Sequence, residues 1–448
     1  MPPVLHLKTE EVDTPEKRAK YNVTLVGCGQ KAIFYALAFA EAGFKVTCAD
    51  ADQSIVKRLS KGNMQLGDSK AESSLKILIR KEQVKATSDL KSAVSNCDIL
   101  IISVNAKIDE KKNSDLSEIE GACKQVGTAL QKGSLVVYGG IAGFGCIETV
   151  IKETMENTSG LKAGEDFGLA YIAAINSPPT PLTQIGDKEL TIAANDKHSL
   201  NAASIVFQTI TKKVVKKIAN IKTAELAMLF DSSKRDVNEA LANEMAMFCE
   251  NAGLDYSETV KILESGTCET ALAPTISDET NREETYLLLE SAENLNVKFR
   301  LPLLARQINE DMVRHAANLT QDALRESGKT LRRAKVALLG SAEPGTAAAV
   351  FVELLKARGA KVSRYDPDSS AVGHPDGESV KKTLNETVEG TDCLVILLAQ
   401  ESLKRLNLKK LRAVMKSPAA LVDLVGVIEP EKANGFSYRG LGRGAWKK

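Results

Sequence analysis

A turn of small residues after an apolar strand is the part of the sequence whose residue types and spacing point most directly to chemistry. Gly27, Gly29 and Ala32 occupy the small positions of a G-x-G-x-x-G/A pattern. Such a turn lets a pyrophosphate approach the backbone, and the helix after it offers unpaired N–H groups and a positive dipole end. Asp50 ends the next apolar strand, where a carboxylate accepts hydrogen bonds from an adenosine ribose. Because an acid there disfavours a 2′-phosphate, the pattern predicts a site for NAD rather than NADP.

The elements that position these residues follow from the surrounding pattern. Residues 23–50 read as a strand, the glycine turn, a helix and a second strand that ends on the acid. The alternative is a Rossmann-like domain in which the glycines serve only packing. We expect the turn and its neighbours to hold the cofactor, namely Gly27, Cys28, Gly29, Gln30, Lys31, Ala32, Asp50, Ala51 and Val104.

Composition excludes several function classes. The chain has 448 residues and a net charge of +1 with both signs interspersed, which is not the pattern of a nucleic-acid or membrane-surface protein. Its eight cysteines are not arranged in C-x-x-C pairs, so they read as reduced core residues of a cytoplasmic protein. Four histidines without H-x-x-x-H spacing predict no metal site. The polar residues 1–20 read as a mobile tail without a secretory signal.

The order of the elements predicts an α/β fold with two Rossmann-type doubly wound domains joined by a central helical region. After the turn, apolar strands near residues 97–104 and 134–138 continue the first sheet. The glycine-rich residues 139–145 follow the second of these strands, either as backbone that a substrate approaches or as a tight turn. Strand and helix patterns from residue 335 onward repeat the first third without its fingerprint.

From Thr223 the apolar period changes to that of a helix that ends at Gly253. Further helices are predicted from Ser257, over residues 286–294 and over residues 301–317. The residues expected to form one apolar stripe on the first of these helices are Leu226, Leu229, Phe230, Val237, Leu241, Met245 and Phe248.

From about Tyr21 to Gly444 the chain resembles the UDP-glucose/GDP-mannose dehydrogenase family, which includes the UDP-N-acetylmannosamine dehydrogenases. The resemblance depends on the order and spacing of several stretches besides the fingerprint. They include Leu161–Tyr171, Thr223–Leu226 with Ala242–Glu244, Ala252–Asp255, Leu304–Asn309 and Gly435–Arg443.

This resemblance implies a division of labour along the chain. Residues 21–220 would bind NAD, residues 221–328 would form a helical homodimer core, and residues 329–448 would bind a nucleotide sugar such as a UDP-sugar. The family's chemistry is a four-electron oxidation of a sugar alcohol to a carboxylate. It proceeds through a cysteine thioester that a base-activated water hydrolyses.

Several catalytic positions of the family carry other residue types in this chain. The lysine and asparagine of the family's central helix fall on Met228 and Ser232, and the threonine of its proline turn falls on Ala106. Counting back from residue 286 places Glu279 at the cysteine and Glu283 near the aspartate. The family's Ser-Thr-Val-Pro-Pro-Gly and Ser-Pro-Glu-Arg segments are also replaced, and so is the basic loop that opens its last domain.

Two residues are candidates to replace the missing groups. Cys268 is the cysteine near the expected nucleophile, although an ordinary loop cysteine is the simpler interpretation. Lys234 lies six residues beyond Met228, on another face of the helix, which favours a solvated surface lysine.

The sequence therefore predicts an NAD-binding oxidoreductase of the nucleotide-sugar dehydrogenase type, acting on a CH–OH group with a divergent mechanism. Two alternatives remain. One is an NAD-dependent dehydrogenase of a different alcohol, and the other is a catalytically inactive NAD- or nucleotide-binding relative with a regulatory or scaffolding role.

Overall fold

The computed structural model describes residues 4–64, 66, 68–173, 186–187, 189–264, 273–276, 283–342, 345–366, 381, 383–397 and 406–444. Contacts divide the chain into two compact units. The first unit comprises Met1–Ser233 and Glu283–Lys298, and the second comprises Lys234–Arg282 and Phe299–Lys448. The helices predicted for the central region are therefore shared between the two units. None of the helices within the described residues is long and apolar enough to cross a membrane.

The strands are β1 Asn22–Val26, β2 Lys45–Ala49, β3 Val84–Thr87, β4 Ile99–Ile102, β5 Lys107–Ile108, β6 Ser114–Asp115, β7 Leu135–Tyr138, β8 Gly168–Ala173, β9 Thr191–Ala193, β10 Lys216–Ile218, β11 Lys335–Leu339, β12 Lys361–Tyr365, β13 Cys393–Ile396, β14 Ala419–Asp423 and β15 Phe436–Gly440.

The helices are α1 Pro15–Arg18, α2 Gln30–Glu41, α3 Gln53–Ser60, α4 Ser69–Arg80, α5 Leu90–Ser95, α6 Ser117–Gly127, α7 Glu153–Ser159, α8 Lys197–Gln208, α9 Ile221–Ala252, α10 Tyr256–Glu264, α11 Glu283–Asn294, α12 Arg300–Glu326, α13 Ala347–Ala357, α14 Leu384–Val388 and α15 Leu408–Val414. A π-helical turn at Ile147–Lys152 precedes α7.

The first unit is built on a sheet with the strand order β10-β9-β8-β7-β4-β1-β2-β3. From β3 to β8 neighbouring strands run parallel, and β9 pairs antiparallel with β8. Strands such as β4 and β7 are buried along their whole length, which explains their uninterrupted apolar sequences. The part from β3 to β8 has the doubly wound order of a dinucleotide-binding fold, and the strand order reverses between β1 and β4. The predicted α/β class is confirmed.

The amino-terminal segment differs from the prediction of a mobile tail. Val4, Leu7 and Val12 lie in the same hydrophobic core as β1 and α8. Arg18 holds the segment through hydrogen bonds from its guanidinium to the Val12 carbonyl at 2.5 Å and the Ala42 carbonyl at 3.0 Å. The few apolar residues among the charges are spaced to meet the unit's core. For residues 4–20 the expectation of a mobile tail is therefore wrong.

The second unit contains an all-parallel sheet with the order β12-β11-β13-β14-β15. Helix α12 continues nine residues beyond its predicted end at Ala317, and its last turns bury Leu319 and Leu324 against the sheet. On α9 the predicted apolar stripe is partly wrong, because Phe230, Leu241 and Phe248 are exposed. The buried face in that part of α9 consists of smaller residues, including Ala242, Ala246 and Cys249.

Candidate functional site

The glycine turn lies where β1 meets α2, at the point where the strand order reverses. Gly27 has φ +85°, and a Cβ added there would lie 3.0 Å from the Ser103 carbonyl oxygen. Only glycine fits this position without strain. Gly29 precedes the first turn of α2, and a Cβ added there would meet nothing within 4 Å. The turn is therefore tight beneath Gly27 and open above Gly29, as a bound pyrophosphate requires.

Asp50 follows β2 and is tied to this turn. Its carboxylate accepts the backbone N–H of Cys28 at 2.7 Å and that of Asp52 at 2.9 Å. The Asp50 side chain is only partly buried, while Ala51 is exposed beside it. The predicted acid and the predicted glycine turn thus lie together. Free lone pairs of a carboxylate in this position can accept the hydroxyl groups of an adenosine ribose.

Two polar residues in the first turn of α2 reach away from the glycines. The Gln30 amide donates to the Leu66 carbonyl at 2.7 Å. The Lys31 ammonium donates to the Gly139 carbonyl at 3.1 Å and so crosses from the fingerprint to the loop after β7. The Val104 side chain lies on the same side, against the turn at Gly27. Ala32 is buried, which allows α2 to pack closely on the sheet.

The thiol of the turn is not available for chemistry. Cys28 is buried, and a hydrogen bond with the Cys48 thiol, together with burial, raises its pKa. Burial also raises the pKa of the Cys123 and Cys146 thiols to about 12. All the cysteines among the described residues are buried. Cys28 therefore contributes its backbone N–H to the site, since a thiol with a raised pKa is a poor nucleophile.

The loop after β7 lies across from the glycine turn, since the Lys31 ammonium of α2 reaches its Gly139 carbonyl. The space that the loop and the turn border is called here the cofactor crevice. The Tyr138 hydroxyl donates to the Val104 and Ile141 carbonyls at 2.9 and 3.2 Å. The Asn105 amide oxygen accepts the Ile141 N–H at 3.0 Å. A Cβ at Gly140 would lie 2.2 Å from the Val104 carbonyl oxygen, so this glycine is required by close packing. The glycine run is thus a tight turn that hydrogen bonds and close packing hold against the residues after β4.

Glu225 closes the far end of the same loop. Its carboxylate accepts the backbone N–H groups of Gly145 at 2.9 Å and Ile147 at 3.0 Å, although the side chain is almost completely buried. Burial raises the pKa of this carboxyl to about 7, and the two N–H groups oppose that rise. In the sequence, Glu225 stands out only as part of the stretch Thr223–Leu226 that resembles the family. The signal that could have revealed its role is a carboxylate at helical spacing from the apolar residues Ile221, Met228 and Leu229 of α9.

The positions where the family carries its lysine and asparagine are occupied by buried residues. Met228 and Ser232 lie inside the unit, and the Ser232 hydroxyl makes no hydrogen bond to any described residue. Lys234 is exposed on α9. Cys268 and Glu279 lie outside the described residues, as does the side chain of Glu283.

The second unit has a related but different turn. Gly340 has φ +143° and follows β11, and the Thr346 hydroxyl caps α13 by accepting the Ala349 N–H at 3.2 Å. The Arg364 guanidinium donates to the Ala342 carbonyl at 2.7 Å. The Arg364 side chain therefore occupies space beside the turn. The glycines in the sequence of this turn are Gly340 and Gly345, which do not make the G-x-G-x-x-G/A pattern of the first unit. In the described part of the chain, no group of histidines, cysteines and carboxylates is arranged to hold a metal ion.

The fold and the crevice of the first unit define an NAD-dependent dehydrogenase. Three sequence models of the UDP-glucose/GDP-mannose dehydrogenase family match the chain. They are the NAD-binding domain over residues 21–211, the central domain over residues 222–311 and the UDP-binding domain over residues 345–430. The chain belongs to the UDP-glucose/GDP-mannose dehydrogenase family, which confirms the resemblance, and its cofactor is NAD.

Individual relatives cover almost the whole chain. A UDP-N-acetyl-D-mannosamine dehydrogenase from Pyrococcus horikoshii is 26% identical over 431 residues, which cover 94% of this chain and 99% of its own. The solved structure of a UDP-D-ManNAc dehydrogenase from that organism superimposes with a TM-score of 0.83 over the same shares. The structure of an NDP-N-acetyl-D-galactosaminuronic acid dehydrogenase from Methanosarcina mazei is 25% identical, with a TM-score of 0.73 over 96% of this chain and 98% of its own.

Proposed function

We propose that this chain uses NAD to oxidise the primary alcohol of a UDP-linked N-acetylhexosamine. The observation that carries the choice of substrate is the match, over nearly the whole of both chains, to a UDP-N-acetyl-D-mannosamine dehydrogenase. The crevice supports the cofactor half of the reaction, because Gly29 leaves the backbone open and Asp50 keeps carboxylate lone pairs beside it. NAD would accept the hydride from the alcohol carbon, and the hydroxyl proton would leave to solvent.

Each wall of the crevice has a part in this reaction. The N-terminus of α2 and Gly29 would hold the pyrophosphate, and Asp50 would bind the adenosine ribose. The Lys31 side chain extends from α2 to the Gly139 carbonyl on the opposite wall, where its positive charge would favour an anionic ligand. Glu225 is a positioning residue, since it holds Gly145 and Ile147 without reaching the crevice itself.

The replaced catalytic residues limit how far the oxidation proceeds. By the family's thioester route, the second hydride transfer, to the acid level, proceeds from an aldehyde that a thiolate has trapped. The described cysteines are all buried, and the family's lysine position is Met228. We therefore expect one hydride per sugar and an aldehyde product.

The test is to incubate the purified full chain with NAD and each of UDP-N-acetylmannosamine, UDP-N-acetylglucosamine and UDP-glucose, and to follow the NADH absorbance. We expect one NADH per sugar with an N-acetylated substrate, and loss of turnover in Asp50→Ala. Two NADH per sugar that fall to one in Cys268→Ala would keep the substrate proposal and reject the single-hydride step. NAD binding without NADH from any of these sugars would overturn the proposal in favour of a non-catalytic NAD-binding protein.

We also propose that the chain forms a homodimer through its long helices. In the second unit, Leu241 and Phe248 on α9 are 55% and 72% exposed, and Leu301 and Leu304 on α12 are 61% and 53% exposed. Large apolar side chains clustered on helices are typical of protein interfaces. We expect a second copy of the chain to cover this apolar face, because homo-oligomers bury such faces symmetrically.

Light scattering after size exclusion tests the dimer. The wild type should elute with twice the mass of one chain, and the double variant Leu241→Asp, Phe248→Asp should shift towards the monomer. Ile77→Asp is the matched control, because Ile77 on α4 is 50% exposed but lies in the first unit. A monomeric wild type would reject the dimer, as would a double variant that stays dimeric.

A further inference from the structure

A cavity of about 550 Å³ lies on the first unit at a place to which the dehydrogenase reaction assigns no role. Its wall is formed by three separate segments: residues 5–8, the start of α8 and the edge strand β10. β10 is at one edge of the sheet, five strands from β1, so the cavity is distinct from the cofactor crevice. The described residues that line it are Leu5, His6, Leu7, Lys8, Lys197, His198, Leu200, Asn201 and Lys217.

The first wall is fixed in place by the packing of the amino-terminal segment. Leu5 and Leu7 are buried, and the Leu5 N–H donates to the Gly133 carbonyl at 3.3 Å. With these two leucines turned inward, His6 and Lys8 are exposed. The alternation of buried and exposed residues therefore presents a basic edge towards the cavity.

The second wall is equally well defined. Asp196 caps α8 by accepting the Ser199 N–H at 2.8 Å, and the buried Ser199 hydroxyl accepts the Leu169 N–H at 3.0 Å. These bonds fix the first turn of α8, which carries Lys197 and His198. The His198 ring meets the His6 ring edge to face at a centroid distance of 5.1 Å, so the two walls touch.

The third wall is supplied by β10. The Lys217 ammonium donates to the Asn201 amide oxygen at 3.2 Å, which holds this lysine against α8. Three ammonium groups and two imidazoles thus surround one cavity, and no carboxylate is present among its described lining residues. Two neighbouring acids are bonded to backbone N–H groups, since Asp196 caps α8 and Glu11 accepts the Lys8 N–H at 2.8 Å.

This concentration of positive charge is local, because the chain as a whole has a net charge of only +1. Like charges held together without a counter-charge repel one another, and an anion placed among them relieves that repulsion. Leu5, Leu7 and Leu200 give the cavity an apolar floor, and its volume is that of a small-molecule site.

We propose that this cavity binds a small soluble metabolite that carries two or more phosphate groups. Lys8, Lys197 and Lys217 provide its charge recognition, and His6 and His198 provide further hydrogen-bond donors. The amino-terminal segment is thus part of a second ligand site.

Calorimetric titration of the full chain with inorganic tripolyphosphate, at an NAD concentration that saturates the crevice, tests this proposal. We expect one site per chain that weakens as salt is raised, because the contacts are ionic. Lys197→Glu and Lys217→Glu should each weaken binding at least tenfold. The matched control Lys91→Glu removes an exposed lysine on α5, far from the cavity, and should change the affinity less than twofold.

NAD titration of the same variants shows that they are folded, since none of these lysines belongs to the cofactor crevice. Unchanged NAD affinity with lost tripolyphosphate binding would support the site. Absence of tripolyphosphate binding to the wild type at about 1 mM, the weak end of specific binding, would overturn the proposal. An equal loss in Lys91→Glu would also overturn it, because it would indicate attraction by overall charge.

Discussion

The carboxylate of Asp50 accepts the backbone N–H of Cys28 at 2.7 Å, so the acid that ends β2 is bonded to the middle residue of the glycine turn. The acid therefore shapes the turn, and we propose that it also receives the ribose of NAD. A second bond, from the Asp52 N–H at 2.9 Å, fixes the orientation of the carboxylate.

Replacing Asp50 by alanine should weaken NAD binding by roughly 10- to 100-fold, because charge-assisted hydrogen bonds contribute ~1.5–3 kcal/mol. The same change should reduce the preference for NAD over NADP. Calorimetry with both cofactors measures the two effects.

Asp52→Ala is the control. It removes the cap that accepts the Ser54 N–H at 2.7 Å, and so should lower stability by ~1 kcal/mol with little effect on NAD. Equal NAD affinity in wild type and Asp50→Ala would contradict this assignment.

The two glycines of the turn should respond differently to alanine. Gly27→Ala meets a positive φ and a carbonyl oxygen at 3.0 Å, so we expect a loss of ~1–3 kcal/mol in the free energy of unfolding. Gly29 has φ −64° and open space around it, so Gly29→Ala should keep the stability and lose NAD affinity because its methyl group meets the pyrophosphate. Urea unfolding and NAD calorimetry on both variants separate strain from steric exclusion. A large loss of stability in Gly29→Ala would show that the turn is not open.

Glu225 should make stability depend on pH near neutrality. Its pKa is about 7 in the native state because of burial, against a reference value of 4.5. Between these values the native protein keeps a proton that the unfolded chain has released, so the free energy of unfolding falls as pH rises. Each pKa unit is worth ~1.4 kcal/mol, so the whole shift corresponds to ~3 kcal/mol. Urea midpoints from pH 5 to pH 8 measure this fall.

In Glu225→Gln that part of the pH dependence should disappear, since the amide does not titrate. The groups that face Glu225 are Glu148, which raises its pKa, and Lys222, which lowers it and pairs with Glu148 at 2.6 Å. Glu148→Gln should therefore reduce the fall with pH without abolishing it. A wild type and a Glu225→Gln variant with parallel pH profiles would refute the prediction.

The second unit contains a buried ion pair whose disruption should be costly. The Arg306 guanidinium donates to the Asp236 carboxylate at 2.8 Å, both side chains are 1% exposed, and Asn309 donates to the same oxygen at 2.8 Å. Asp236→Ala leaves a buried cation without its partner, for which we expect a loss of ~3–5 kcal/mol in urea unfolding. Asp311→Ala breaks the exposed pair with Arg314 and should cost less than ~1 kcal/mol. Similar costs for the two variants would contradict this account.

The elements around the cofactor were predictable because their signals are local. The turn at Gly27, the helix α2 and the acid at Asp50 lie within one continuous stretch, and each requires a particular residue type. The hydrogen bond between Glu225 and Gly145 was not predictable, because its partners are 80 residues apart. Its donor is a backbone N–H, which almost every residue type has, so the residue type at position 145 gives no signal. The stripe on α9 failed for a related reason. The sequence of a helix with apolar residues on more than one face does not reveal which face packs against the core. Near Leu241 the core buries the smaller residues, and Leu241 itself is exposed.

The packed amino-terminal segment has a consequence for the synthesis of the chain. Val4 and Leu7 share a core with Phe207 and Val215, and His6 meets a ring that follows about 190 residues later. At ~5–20 residues per second, the ribosome needs on the order of 10–40 s to deliver that partner. Residues 4–12 must therefore wait, exposed, until α8 and most of the first sheet have been translated, because the side chains that bury them leave the ribosome much later.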